Sequence, residues 1–388
     1  MLSSLLSSLR SLLTQLNRQT FIIIRIRIVA FVLSSVTLVW STYFLVWSFQ
    51  KHIIRATPIV QDAPRSQLGL RVATWNLRVP FPPDADNNLS WDDRVNSVAS
   101  AIAAWRPHLM ALQEDCYFMS DSLMKSKTAI GKLSGAYDRY GLFNRNGESY
   151  PSSTWPENAF TGDGMRDGEH NSVWFDKKRF TALRNVTFWL SETPEVAGSS
   201  FGEITGRIAN CVLLNDKFCT NNHDPDIHCT QTIFFCSTHF PSGNETRQIW
   251  SASVLSDTFS HFYKEFTNYG NNHLEMMVSG DFNSVPGSET YKAMNQAGFV
   301  DSRELSKEAK MIREYTETTN DWYGNENSLI DYVWLYTGSH AHHFKPSYNI
   351  RSVRHIPVPC CDFYENKTGM FNKTASDHLM VVVDIDFT

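Results

Sequence analysis

The stretch Leu274-Glu275-Met276-Met277-Val278-Ser279-Gly280-Asp281-Phe282-Asn283 decides the fold class. Leu274 to Ser279 is a short apolar run of strand length, and it stops at Gly280-Asp281, residues that favour turns. The same pattern recurs outward along the chain. Arg71–Trp75 is strand-like and stops at Asn76, His108–Leu112 stops at Gln113-Glu114, and Thr232–Thr238 stops at His239. Asn171–Phe175, Arg207–Leu214, Leu329–Leu335 and Leu379–Ile385 read as further strands, the last preceded by Asp377-His378. Between them, Trp91–Trp105 carries Val95, Val98, Ala99, Ile102 and Ala103 on one helical face, and Asn244–Phe266 also reads as a helix. Strands interleaved with helices predict α/β layers around large sheets. There is no fixed solenoid period and no strong linker after Leu70, so 70–388 reads as one large domain.

Asn76, Glu114, His239, Asp281 with Asn283, and Asp377-His378 lie just beyond strand ends or just before one. Strand ends are where α/β sheets place ligands. Any one of these residues is an ordinary turn residue. Together they form a set rich in carboxylate, amide and imidazole without thiolate. Hard oxygen donors of this kind suit Mg2+, or alternatively Mn2+, rather than zinc.

Seven motifs then follow in order: Thr74-Trp-Asn-Leu77, Leu112-Gln-Glu114, Gly168-Glu169 with Ser172-Val-Trp-Phe175, Ser237-Thr-His239, Ser279-Gly-Asp-Phe-Asn283, Ile330-Asp-Tyr332 and Ser376-Asp-His378. The set resembles the endonuclease/exonuclease/phosphatase superfamily, which includes pancreatic-type deoxyribonuclease, over about residues 70–387. Phe188-Trp-Leu-Ser-Glu-Thr-Pro194 further resembles a subgroup typified by bacterial members. The resemblance implies a four-layered α/β sandwich of two packed mixed sheets flanked by helices, with the site at one edge. It implies that Asn76 and Glu114 anchor the metal, that Asp377 lies near it, and that Asp281 and Asn283 orient or deprotonate the attacking water. It further implies that His378, oriented by Asp331, contacts the phosphate, and that His239, partnered by Glu169, is a second phosphate-binding imidazole. His239, Asn283 and His378 are thus the substrate-binding residues. The chemistry of these groups fits those roles. A cation and protonated imidazoles stabilise charge growing on a phosphodiester in the transition state. A carboxylate bonded to an imidazole fixes its tautomer and raises its pKa. Ser237-Thr-His-Phe-Pro241 lacks the acid that often follows this histidine in the subgroup, Met165-Arg-Asp167 is a reduced charged run, and 219–229 and 357–374 depart in length.

The composition, 42% hydrophobic and 19% charged over 388 residues, excludes collagen-like, low-complexity and largely disordered chains. The net charge of −5 hides an asymmetry. Residues 1–61 contain six basic residues and no acid, leaving 29 basic and 40 acidic residues, a net −11, for the remainder. Ile28 to Phe49 is an uncharged, largely apolar run long enough to span a bilayer, with Trp40, Tyr43 and Trp47 toward its end. It reads as an uncleaved signal anchor after a basic amphipathic segment (1–27) and before a stalk (50–69). Four Arg ahead of the span put the N-terminus in the cytoplasm and the body in the lumen or outside the cell, a type II topology. The acid-free, Ser-, Leu- and Arg-rich front also resembles a mitochondrial presequence, the alternative.

Sequons at Asn88, Asn185, Asn244, Asn366 and Asn372 fit a glycosylated luminal body. Cys219 and Cys229 bracket a polar loop that a disulfide can staple; a zinc site is the other reading of its His and Asp residues. The expected activity is hydrolysis of a phosphate ester with water as nucleophile. A nuclease-type phosphodiesterase is the first reading, a membrane-tethered phospholipid or sphingolipid head-group phosphodiesterase or phosphatase the alternative, and an inactive binding scaffold the third. The expected partners are a nucleic-acid or lipid-head-group substrate and a membrane; no segment predicts a protein partner. An acidic body disfavours duplex DNA, whose affinity draws on Lys and Arg at phosphates.

Overall fold

The apolar runs form strands buried on both faces, and these position everything else. In chain order the principal elements of the computed structural model are β1 (Leu70–Asn76), α1 (Trp91–Trp105), β2 (Leu109–Asp115), α2 (Tyr117–Lys125), β3 (Tyr137–Tyr140), β4 (His170–Asp176), β5 (Phe180–Trp189) and β6 (Ile208–Asp216). They continue with β7 (Thr232–His239), α3 (Glu245–Asn268), β8 (Leu274–Asp281), α4 (Glu289–Gln296), β9 (Phe299–Asp301), β10 (Asp331–Tyr336), β11 (Tyr348–Ile356), β12 (Pro359–Asn366), β13 (Gly369–Thr374) and β14 (Met380–Phe387). The structure describes residues 69–80, 84, 89–144, 169–203, 206–220, 232–268, 274–306, 317–322, 327–338, 348–366 and 369–387. The expected amphipathic segment, the membrane anchor and all of the stalk but Gly69 lie outside these residues. Among the described residues no helix is long and apolar enough to cross a membrane.

Two six-stranded sheets run in the order β11-β14-β1-β2-β4-β3 and β9-β10-β8-β7-β6-β5. Each is mixed. The β1–β2 and β7–β8 pairs are parallel and the other pairings antiparallel. The inner faces meet through Val72, Leu109, Ala111, Val173 and Val383 from the first sheet and Val212, Ile233, Phe235, Met277 and Val333 from the second. The first sheet's outer face packs on α1 and α2 through Trp75, Val98, Ile102 and Met119. The second sheet's outer face packs on α3 and α4 through Phe234, Phe259, Met294 and Trp334. The result is the expected α–β–β–α sandwich. Helix α1 starts on a capping box, with the Ser90 side chain accepting from the Asp93 N–H and the Asp93 side chain accepting from the Ser90 N–H.

The expected runs each became an element. Strands β3, β5, β9 and β11 carried no such signal, and all four are sheet edges. An edge strand buries less, so it needs no apolar run: Thr181 to Asn185 of β5 are exposed in succession. The hairpin β12–β13 lies within the 357–374 segment, which the sequence marked only as departing in length. One cysteine pairing had no counterpart among the expectations. Cys211 is bonded to Cys236, directly opposite on β6 and β7. Cys219 and Cys360 are disulfide-bonded too; Cys229, the expected partner of Cys219, lies outside the described residues.

A buried ion pair closes one corner of the sandwich. Arg179 Nη2 lies 2.7 Å from Asp216 Oδ2 at the end of β6, and Arg179 Nη1 donates to the Gly69 carbonyl ahead of β1 at 2.7 Å. Both side chains are essentially inaccessible, so losing one partner strands a charge in a low-dielectric interior. Asp216→Ala is expected to lower the unfolding free energy by about 3–5 kcal/mol, and Arg179→Met added to it to recover part of that loss, as read by chemical denaturation.

Candidate functional site

Strand register sets three functional residues side by side. In the parallel β7–β8 pair His239 is opposite Asp281, and in the antiparallel β8–β10 pair Asp281 is opposite Asp331. Close approach of the strands requires glycine one residue earlier: a Cβ on Gly280 would lie 1.9 Å from the Thr238 carbonyl oxygen. In the first sheet Asn76 is opposite Gln113, which places Glu114 at the end of β2 beside it. Glu114, Asn283 and Arg78 adopt the left-handed backbone region (φ 54°, 48° and 59°), and all three are at the site. Such strain is retained where surrounding structure and function demand it.

One amide links the sheets. Asn76 Nδ2 donates to Glu114 Oε1 at 3.0 Å and to Asp281 Oδ2 at 3.1 Å. The other Glu114 oxygen accepts the Val79 N–H at 2.7 Å. Burial pushes the Glu114 carboxyl up, but His239, the Asn76 amide and the Val79 N–H outweigh it and hold the carboxyl at about 2. Glu114 is therefore an anion throughout the physiological range.

The two imidazoles differ. His378 Nδ1 donates to Asp331 Oδ2 at 2.9 Å, and its Nε2 faces Asp281 Oδ2 at 3.8 Å. Burial opposes the cation, but Asp331, then Asp281 and Asp377, hold the ring well above the usual imidazole value. His239 has its Nε2 3.0 Å from the Asn283 amide nitrogen and 3.5 Å from Asp281 Oδ2. Its Nδ1 is buried 3.7 Å from Glu169 Oε2, beyond hydrogen-bond range, and Arg207 Nη1 stands 3.8 Å from that same oxygen. Asp281 Oδ1 accepts the Asn283 N–H at 2.9 Å, which shapes the turn after β8.

Donor atoms of Asp281, Asp331 and His378 lie within 4.8 Å of one another, so these three could hold a metal ion. Glu114, held against Asp281 by Asn76, extends the set with a hard oxygen. Asp377, expected near a metal, has its Oδ2 3.5 Å from Arg78 Nη1. Burial pushes the Asp377 carboxyl up, and Glu114 adds to this against His378 and Arg78.

Several residues of the site went unread in the sequence. Arg94, fully buried in α1, donates to the carbonyls of Leu77, Arg78, Leu89 and Ala375, clamping the turn that carries Asn76 to the loop that carries Asp377-His378. Asn320 receives the partners on the other side of that loop: its N–H donates to the Asp377 carbonyl and its amide to that of Ser376. Gln248 of α3 donates to the carbonyls of Pro241 and Asn283, tying the turns after β7 and β8 together. Thr318 Oγ1 accepts the Asp331 N–H at 3.0 Å. None sits in a strand-end motif, and only Arg78, next to Thr74-Trp-Asn-Leu77, carried a positional signal.

Comparisons with known proteins bear on the family and the fold. The family model described as Endonuclease/Exonuclease/phosphatase family matches residues 73–378. Human Nocturnin is 22% identical over 349 residues, covering 84% of this chain and 67% of Nocturnin. A mannosyl-6-phosphatase from Bacteroides thetaiotaomicron is similar in structure, with a TM-score of 0.59 and 20% identity over 82% of this chain and 100% of that one. The human Nocturnin catalytic domain with bound sulfate is similar with a TM-score of 0.54 and 20% identity over 83% and 94%.

Because Asp331 is the main support of the His378 cation and burial remains without it, Asp331→Asn is expected to lower the His378 pKa by about 1–3 pH units. A histidine-ring NMR titration checks this, with the neutral ring appearing at lower pH than in the wild type.

Proposed function

The chain belongs to the endonuclease/exonuclease/phosphatase family, a family of phosphoesterase-type hydrolases, and on that premise we propose that it hydrolyses phosphodiesters with water as nucleophile and Mg2+ as cofactor. The observation that carries the reading is the convergence on Asp281. This carboxylate faces a cationic His378 paired to Asp331, receives the Asn76 amide shared with Glu114, and lies beside His239.

The donor set fits a hard divalent cation: Glu114 is anionic, Asp281 adjoins it through Asn76, and no thiolate intervenes. Glu114 would hold the ion, with Asn76 fixing its place and Asp377 nearby. A bound Mg2+ supplies charge stabilisation at the phosphate oxygens. The residues do the rest. Asp281 takes the proton from the attacking water, with Asn283 fixing the turn that orients it. His378, held in one tautomer by Asp331, directs Nε2–H at the phosphate and neutralises charge growing on its oxygens. His239 and the Asn283 amide offer a second contact, with Glu169 and Arg207 behind the ring.

The substrate classes supported are nucleic-acid and lipid-head-group phosphodiesters, with duplex DNA disfavoured by the acidic body. The disulfides support an oxidising compartment, and Asn185 and Asn244 are exposed for glycan attachment. Both agree with a type II anchor through residues 28–49 and a luminal or extracellular body.

The full chain is expected to hydrolyse bis(p-nitrophenyl) phosphate with Mg2+ and to lose this with chelator. Absence of metal-dependent release by folded protein would overturn the reading. Asp281→Asn is expected to reduce kcat by about 10²–10⁴-fold while leaving the thermal unfolding midpoint nearly unchanged. Turnover close to wild type would remove Asp281 as the base.

A further inference from the structure

Beside the second sheet lies a cavity of about 500 Å³ that the reaction does not use. One wall is a face of α3: Trp250, Ser253, Val254, Asp257 and Thr258, spaced at helical repeat. The other is the turn after β5, with Ser191, Glu192, Pro194 and Phe201. That turn is braced before any ligand arrives. The Trp189 N–H donates to the Pro194 carbonyl at 2.8 Å, the Leu190 N–H donates to the Arg207 carbonyl at 2.7 Å, and the Ser191 and Ser199 hydroxyls meet at 2.6 Å.

Two features of this cavity point to one kind of ligand. Trp250 is 46% exposed, and with Phe201 it forms an aromatic corner, ring centroids 5.2 Å apart and planes tilted by 51°. The indole thus presents an accessible face to the cavity. Glu192 and Asp257 then supply two carboxylates, while no Lys or Arg lines the cavity and neither acid makes an ion pair among the described residues. Aromatic faces attract cations through their quadrupole, most strongly for indole, and carboxylates add direct charge complementarity.

The turn that walls the cavity also connects to the hydrolytic site: the Leu190 N–H donates to the Arg207 carbonyl, Arg207 Nη1 lies 3.8 Å from Glu169 Oε2, and that oxygen lies 3.7 Å from His239 Nδ1. One turn before Trp250, Arg247 Nη2 donates to the carbonyl of Gly202, next to Phe201, and Arg247 Nη1 lies 3.8 Å from Glu203.

We propose that this cavity between α3 and the turn after β5 binds an organic ammonium group, with Trp250 and Phe201 as its aromatic walls and Glu192 and Asp257 as its counter-charges. It selects phosphodiesters whose alcohol carries such a cation. The selection rests on the hydrolase reading; the binding does not.

Calorimetry of the full chain with tetramethylammonium chloride, against sodium chloride at equal ionic strength, tests the binding. Saturable heat is expected for tetramethylammonium alone. Trp250→Ala, and separately Glu192→Gln with Asp257→Asn, should weaken it about 3–10-fold. No saturable binding, or binding unchanged in both variants, overturns the site. The selection is read from kcat/KM for p-nitrophenyl phosphorylcholine relative to bis(p-nitrophenyl) phosphate. The ratio should fall about 3–10-fold in Trp250→Ala, with bis(p-nitrophenyl) phosphate hydrolysis unchanged. An unchanged ratio overturns the selection. Ammonium binding without hydrolysis of either ester overturns the hydrolase reading and supports the cavity. Hydrolysis without ammonium binding does the reverse.

Discussion

The Asn76 amide, donating to Glu114 from one sheet and to Asp281 from the other, is the constraint on which the site depends. Two carboxylates left in a buried cleft repel each other, and a shared donor reduces that cost while fixing their spacing. The amide can do this only if both sheets end at the same edge. Two bonds across the interface hold that alignment, Gln113 Nε2 donating to Ser237 Oγ and Ser237 Oγ to the Leu112 carbonyl, while within the first sheet Ser376 Oγ donates to the Asn76 carbonyl and Trp75 Nε1 to the His378 carbonyl. The sandwich core therefore sets the position of the catalytic groups as well as stabilising the domain.

The two histidines show how similar residues acquire different properties from packing. His378 is closed onto Asp331 at 2.9 Å and is driven toward its cation. His239 faces Glu169 at 3.7 Å, with Arg207 competing for that same carboxylate oxygen. The Asp331 pair comes from a strand end whose backbone is pinned by Thr318. Glu169 stands ahead of β4, its N–H held by the Asn144 side chain. A tight pair suits a group that must keep one orientation through the reaction. A looser one leaves the ring free to complete its contacts when an anion arrives.

The acidic body is explained only in part by the site. Glu114, Asp281, Asp331 and Asp377 belong to the reaction centre, and Glu169 with Glu203 forms its charged flank. Asp216 and Asp384 serve packing instead. Asp216 is paired with buried Arg179, and Asp384 accepts from Arg71 at 2.7 Å. Glu192 and Asp257 line the cavity beside α3. A net charge thus sums catalytic, structural and recognition roles that only position separates.

The apolar runs ending in Asn76, Glu114, His239 and Asp281 were legible because a strand buried on both faces must be apolar while its end must turn. Edge strands β3, β5, β9 and β11 were not legible, because half-exposed backbone pairing imposes no comparable demand on side chains. Asp377 shows the same boundary within the site: its motif marked it as functional, but Arg78, brought in by a left-handed turn, decided its partner. Arg94, Gln248 and Asn320 act on backbone carbonyls of segments remote in sequence, a role that leaves no local pattern. By itself the sequence determined the layered α/β class, the strand-end chemistry and the family. Tertiary structure alone decided which carboxylate meets which imidazole, that Cys211 joins Cys236, and that a turn after β5 closes an acidic, aromatic cavity against α3. These depend on register and sheet packing, which bring together side chains that no spacing along the chain relates.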